Sequence, residues 1–225
     1  MGDRVAVLST RPGRLKGEDT GWGKRPPVLL RVRTVDGGFV DRTGEAWPLP
    51  EVEWTAMHLN AGGALGEKPA ETEQAVAYDA HGDGVTFSTE PLDRDTELIG
   101  PASAKLLVSS TTTDADLFLV VRVFDPAGDE MVFRGAVDPH MPVGQGWLRA
   151  SHRQLDPDLS RPWRPYHTHD SVQPLILGEV YELDVEIWPI GIVVPKGYRA
   201  ALTVRGRDYE FAGADDAAAL SHPCA

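Results

Sequence analysis

The chain has 225 residues, a formal net charge of −12 and a single cysteine, Cys224. The acidic balance argues against nucleic-acid backbones and anionic membrane surfaces as partners, since both call for basic stripes. One cysteine excludes a disulfide framework and a cysteine-based zinc site, no apolar run is long enough to cross a bilayer, and Met1 to Arg14 lacks the apolar core of a signal peptide, which points to the cytoplasm.

Val28 to Arg33 reads as a first strand, closed by the turn signal Asp36-Gly37-Gly38. Composition shifts near residue 50, after Trp47-Pro48-Leu49-Pro50, and a domain boundary is expected there. Trp54 to Leu59 is a second candidate strand; His81-Gly82-Asp83-Gly84 and Gly100-Pro101 read as turns. Leu117 to Phe124 is apolar on both faces: Leu117, Leu119, Val121 and Val123 on one, Phe118, Val120 and Phe124 on the other. Such a strand is expected at the centre of a sheet, with a second layer outside it. Pro126-Ala127-Gly128-Asp129 ends it. From Tyr181 to Ile187, apolar Tyr181, Leu183, Val185 and Ile187 alternate with Glu182, Asp184 and Glu186, the pattern of a half-buried strand. Pro189, just past Trp188, is expected to stop that ladder. After Pro195-Lys196-Gly197, Arg199 to Arg205 forms another strand, and Asp215 to Leu220 alone reads as helical. Many short strands punctuated by 23 glycines and 18 prolines predict an all-β protein, an antiparallel sandwich or barrel.

Several stretches, taken in order and spacing, resemble the cocaine esterase-like (CocE/NonD) family of α/β-hydrolases. They are Leu15-Lys16-Gly17-Glu18-Asp19-Thr20-Gly21-Trp22 with Pro26-Pro27-Val28; Gly44-Glu45-Ala46-Trp47-Pro48; and Met131-Val132-Phe133-Arg134-Gly135. The most specific runs from Gly146-Trp147-Leu148-Arg149-Ala150-Ser151-His152-Arg153 to Arg164-Pro165-Tyr166-His167-Thr168-His169-Asp170. Glu186-Ile187-Trp188-Pro189 and Arg205-Gly206-Arg207-Asp208-Tyr209 complete the set. The resemblance implies a jelly-roll, galactose-binding-like β-sandwich of the kind that forms the C-terminal, non-catalytic domain of X-prolyl dipeptidyl peptidases. It divides the chain into an unmatched segment, 1–14; a remnant of the end of an α/β-hydrolase core with its linker, 15–50; and the jelly roll, 51–225, lacking its last strand. The implied partner is an α/β-hydrolase catalytic domain, on the same or a separate chain, acting on ester or X-Pro amide bonds. Homo-oligomerisation is left open. Alternatives are a stand-alone carbohydrate- or ligand-binding jelly roll and a non-functional gene fragment.

The chemistry of such a hydrolase is missing from the sequence. There is no G-x-S-x-G elbow, which would expose a serine Oγ beside backbone oxyanion donors, and Ser9 lacks the flanking glycines. The family's triad Asp and His would lie upstream of Leu15, so no catalytic residue is assigned; no cofactor-binding or metal-ligating residue is assigned either. His167-Thr168-His169-Asp170 is the one constellation with metal-ligand residue types, two imidazoles at i and i+2 beside a carboxylate. A structural loop, or a loop facing a catalytic domain, accounts for it more simply. Arg149 and His152 are expected to pair with Asp156 or Asp158. Trp147, Trp163 and Trp188 are expected in packing, with a sugar platform as the alternative; two exposed, adjacent rings among these and Trp54 would favour a binding surface.

Overall fold

A computed structural model describes residue 21 and residues 24–135 and 138–211. Met1 to Arg14, the helical reading at Asp215 to Leu220, and Cys224 lie outside the described residues. The described residues form ten strands: β1 (Val28–Thr34), β2 (Phe39–Gly44), β3 (His58–Asn60), β4 (Ala64–Gly66), β5 (Val85–Ser88), β6 (Thr96–Val108), β7 (Asp116–Phe124), β8 (Gly144–Arg149), β9 (Tyr181–Val194) and β10 (Arg199–Arg205). They form a four-stranded sheet, β2-β1-β9-β6, and a six-stranded sheet, β3-β4-β5-β10-β7-β8. The two pack as a β-sandwich, as the all-β reading expected. Both sheets are mixed rather than purely antiparallel, because β1 runs parallel to β9 and β4 parallel to β5.

The core lies between the sheets. Ala104 and Leu106 of β6 and Leu183, Val185 and Ile187 of β9 face Leu117, Leu119, Leu148 and Val204 of the opposite sheet. Each Leu, Val or Ile side chain among these contributes about 1.5–3 kcal/mol on leaving water. A second cluster, Val123, Phe133, Val143, Ile192 and Val194, fills the other end. Leu30, Val32 and Leu49 form a third beneath β1. The strands β1 and β2, which precede the expected boundary near residue 50, are therefore joined to the same sheet as β9.

Four expectations are corrected. Pro189 does not end its strand: β9 continues to Val194. Nor is Gly100-Pro101 a turn; it lies inside β6. The two departures have one cause. Ala102 faces Ile187 and Gly100 faces Ile190, so Pro101 sits opposite both Trp188 and Pro189 in a β-bulge. A bulge leaves ladder positions unpaired, so two prolines without N–H groups meet there at no cost in hydrogen bonds. Gly100, at φ 124, takes the backbone conformation that a side chain would oppose. The strand expected from Trp54 to Leu59 shrinks to His58–Asn60, because the indole of Trp54 stacks on Trp163, at 4.8 Å, instead of facing a neighbouring strand. Finally, β7 stands next to the edge strand β8 rather than at the centre of its sheet. Its outer face is nonetheless covered, by chain without regular structure. There the Arg122 guanidinium grips the buried Glu130 carboxylate with two hydrogen bonds, 2.9 and 2.5 Å, and the Tyr209 hydroxyl donates to the same carboxylate at 3.0 Å. Burial, reinforced by the Glu130 charge, pushes the Tyr209 phenol well above its ordinary pKa and keeps it a donor.

Candidate functional site

Beyond the core, β8 runs close against β9. A Cβ at Gly146 would collide with the Glu186 backbone carbonyl, so glycine sets how near the strands come. The next residue, Trp147, points outward and meets Trp188 of the β9 bulge edge to face, with ring centroids 5.3 Å apart and planes at 79°. Both remain open to solvent, Trp147 at 39% and Trp188 at 64%. The long connection after β8 folds back over the outer face of the four-stranded sheet. Thr168 N–H donates to the Gln154 carbonyl, Asp156 N–H to the Tyr166 carbonyl, and Ser103 of β6 donates its hydroxyl to the Pro162 carbonyl at 2.9 Å. This brings Tyr166, His167 and His169 beside the two indoles. With Glu186 they line a cleft of about 230 Å3. An adjoining depression of about 240 Å3 shares Trp147 and His169 and is closed by Asp116, Phe118 and Arg149.

Three imidazoles cluster here. His169 lies 5.6 Å from His152 and 5.8 Å from His167, ring centre to ring centre. Nδ1 of His152 and Nε2 of His167 are buried without a hydrogen-bond partner among the described residues. Burial, and secondarily the proximity of His169, lowers the pKa of His167, so that ring is neutral at pH 7. Asp170 accepts a hydrogen bond from the Thr168 hydroxyl, at 2.5 Å. Among the described residues no group of three or more metal-ligating side chains is placed to hold an ion.

The pairing expected for Arg149 and His152 is overturned. Arg149 takes Asp116 of the neighbouring strand, with bonds of 2.7 and 2.9 Å, because Asp116 and Arg149 face each other in the β7–β8 register. His152 packs beside His169 instead, and Asp156 turns its carboxylate onto the backbone N–H groups of Asp158 and Leu159. Ser151 is no nucleophile candidate: it is buried and its hydroxyl donates to Asp114 at 2.6 Å. Of the tryptophans, the structure joins Trp147 to Trp188 and Trp54 to Trp163, each pair with an exposed ring. Glu186, which lines the cleft, was not singled out by sequence. With Glu182 and Asp184 it reads as one of three carboxylates on the wet face of the strand, and it opens the Glu186-Ile187-Trp188-Pro189 stretch, but neither marks it as a site residue.

Fold and site together define a two-sheet β-sandwich whose distinguishing surface is an aromatic cleft, in a sequence without a hydrolase elbow. The profile of the X-Pro dipeptidyl-peptidase C-terminal non-catalytic domain matches residues 20–217, and the chain belongs to that family. Its likeness is to CocE/NonD-type hydrolases. A CocE/NonD family hydrolase of Staphylococcus aureus has a solved structure that superposes with a TM-score of 0.84 at 30% identity, over 89% of this chain and 37% of that one. A Mycobacterium bovis protein named as a serine esterase is 26% identical over 230 residues, 86% of this chain and 34% of that protein. An aminopeptidase from a marine-sediment Thaumarchaeota archaeon shares the fold at a TM-score of 0.62 and 16% identity, over 82% of this chain and 34% of that one. The chain thus spans about a third of the length of the relatives it matches. Among the described residues no helix is long and apolar enough to cross a membrane.

Proposed function

We propose that this chain serves as the accessory domain of a CocE/NonD-type serine hydrolase, bracing an α/β catalytic domain and shaping the rim of its substrate pocket. The chemistry, acyl transfer through a serine ester followed by hydrolysis of an ester or X-Pro amide bond, belongs to that catalytic domain. The observation that carries this reading is the match of residues 20–217 to a non-catalytic domain that makes up only about a third of its relatives. An aliphatic ledge supports it. Leu107, Ile176, Leu177 and Val180, all more than half exposed, gather where β6 ends and β9 begins, and apolar area of this kind is normally covered by a partner.

The test is a chimera. The C-terminal third of the S. aureus hydrolase is replaced by residues 20–217 of this chain, and p-nitrophenyl ester turnover is compared with that of the truncated catalytic part. Turnover restored by the graft supports the reading. Equal turnover with and without it refutes the bracing role. Ester hydrolysis by the pure 225-residue chain, abolished by a serine-reactive phosphonate, refutes the assignment of chemistry elsewhere. A second reading, a ligand-binding module, is favoured by the exposed, adjacent indoles of Trp147 and Trp188.

A further inference from the structure

The outer face of β9 carries three carboxylates in a row, and they are not treated alike. Glu182 and Asp184 share the ammonium of Lys105, at 2.5 and 2.9 Å. Glu186, one step further, stands opposite Ser103, whose hydroxyl is already committed to the Pro162 carbonyl. Among the described residues no cation pairs with Glu186 and no hydrogen bond reaches its carboxylate. The nearby Arg149 does not supply one, being held in a two-bond fork by Asp116. A half-buried carboxylate facing a cleft with no counter-charge is an unfilled electrostatic demand.

The walls around it specify what meets that demand. Trp147 and Trp188 stand at 79° to one another, so the corner between them shows a cation two ring planes at right angles. Tyr166, 46% exposed, adds a third aromatic ring. Indole faces carry negative potential and attract cations. A planar guanidinium stacks on one face only, whereas a globular, alkylated ammonium touches both walls of a corner. A flat sugar ring calls for a flat platform, which perpendicular indoles do not make. The cleft's volume, about 230 Å3, suits a group of a few carbons, and a net charge of −12 favours the approach of cations.

We propose that the cleft formed by Trp147, Tyr166, Glu186 and Trp188 binds a small organic cation bearing an alkylated ammonium group. The alkyl groups lie in the indole corner and the charge faces the Glu186 carboxylate. The inference goes beyond the accessory role and does not depend on it, since it is tested on this chain alone, without any catalytic partner.

The probe is choline chloride, titrated against the 15N-labelled chain while the indole N–H resonances are followed; Trp147→Phe and Trp188→Phe assign the two of interest. The expected result is saturable shifts at those two indoles, with a dissociation constant on the order of millimolar. The neutral isostere 3,3-dimethylbutan-1-ol binds about tenfold more weakly, and Glu186→Gln weakens choline by roughly fivefold or more. Trp188→Ala, at an exposed position with little call on stability, abolishes the shifts at Trp147. Trp54→Ala, outside the cleft, leaves them unchanged. The proposal is overturned if the neutral isostere binds as well as choline, if Glu186→Gln and Trp188→Ala bind it normally, if guanidinium binds more tightly than choline, or if no saturable shift is seen.

Discussion

Replacing Arg122 with methionine tests whether the outer face of the six-stranded sheet is held by a charge pair that is indispensable once present. The Glu130 side chain is only 7% exposed and that of Arg122 24%, and their carboxylate and guanidinium meet through two hydrogen bonds. The guanidinium also lies 4.8 Å over the Phe124 ring. Removing the arginine leaves a carboxylate in a poorly hydrated place with, among the described residues, only the Tyr209 hydroxyl as donor. Breaking one side of such a pair costs about 3–5 kcal/mol, while replacing both partners with apolar groups of similar volume is nearly neutral. Urea unfolding followed by tryptophan fluorescence should therefore show Arg122→Met destabilised by about 3 kcal/mol, roughly 6–12 °C in melting temperature for a domain of this size. The double variant Arg122→Met/Glu130→Met should recover most of that loss. A single variant within about 1 kcal/mol of the parent, or a double variant no better than the single, would refute the reasoning.

The same packing and hydrogen bonding lead to three further outcomes. Burial raises the Asp114 carboxyl pKa, but hydrogen bonds from the Ser151 hydroxyl, the Ser151 N–H and the Ala115 N–H outweigh it and hold the group below its ordinary value. A depressed carboxylate contributes stability that is present above its unfolded pKa and disappears as pH falls through its folded one; Asp114→Asn should thus flatten the acid limb of the stability profile, checked by urea midpoints between pH 7 and pH 3. Gly146→Ala should cost about 1–3 kcal/mol, since the new methyl meets Glu186 backbone, and circular dichroism melting reads the loss. Arg149→Met, which breaks an exposed pair with Asp116, should leave the melting midpoint unchanged within error.

What the sequence disclosed, and what it hid, divides along the distance over which residues interact. Arg199 to Arg205 and the first half of β9 were legible because each carries its own alternation, one face buried and one wet, with no need of a neighbour. By contrast the 13-residue β6 holds Gly100-Pro101, a turn signal in the sequence, whose place opposite the bulge of β9 is visible only once Trp188 and Pro189 are seen facing it. Two glycines thin the pattern of β8, yet one of them is there because Glu186 passes so near. The site shows the same limit. The tryptophans were visible as candidates, but which pairs they form depends on how the connection after β8 folds back. Arg149 found Asp116 through strand register rather than the nearby Asp156 or Asp158. Glu186 is inconspicuous in the sequence because what sets it apart, the lack of a partner among the described residues, is a property of the folded chain.

The bulge opposite Pro101 has a consequence for what this chain tolerates. Before it, odd-numbered Leu183, Val185 and Ile187 point into the core; after it, even-numbered Ile192 and Val194 do. The extra residue therefore works as a phase shift between two halves of one strand. Deleting either Trp188 or Pro189 would take out that extra residue, and an unbroken period of two would then carry Leu183, Val185, Ile187, Ile192 and Val194 on one face, at the loss of the bulge that accommodates Pro101. Deleting Glu186 with the bulge kept is another matter: Ile187 would hold its place opposite Ala102, while Val185 and Leu183 would turn out of the core.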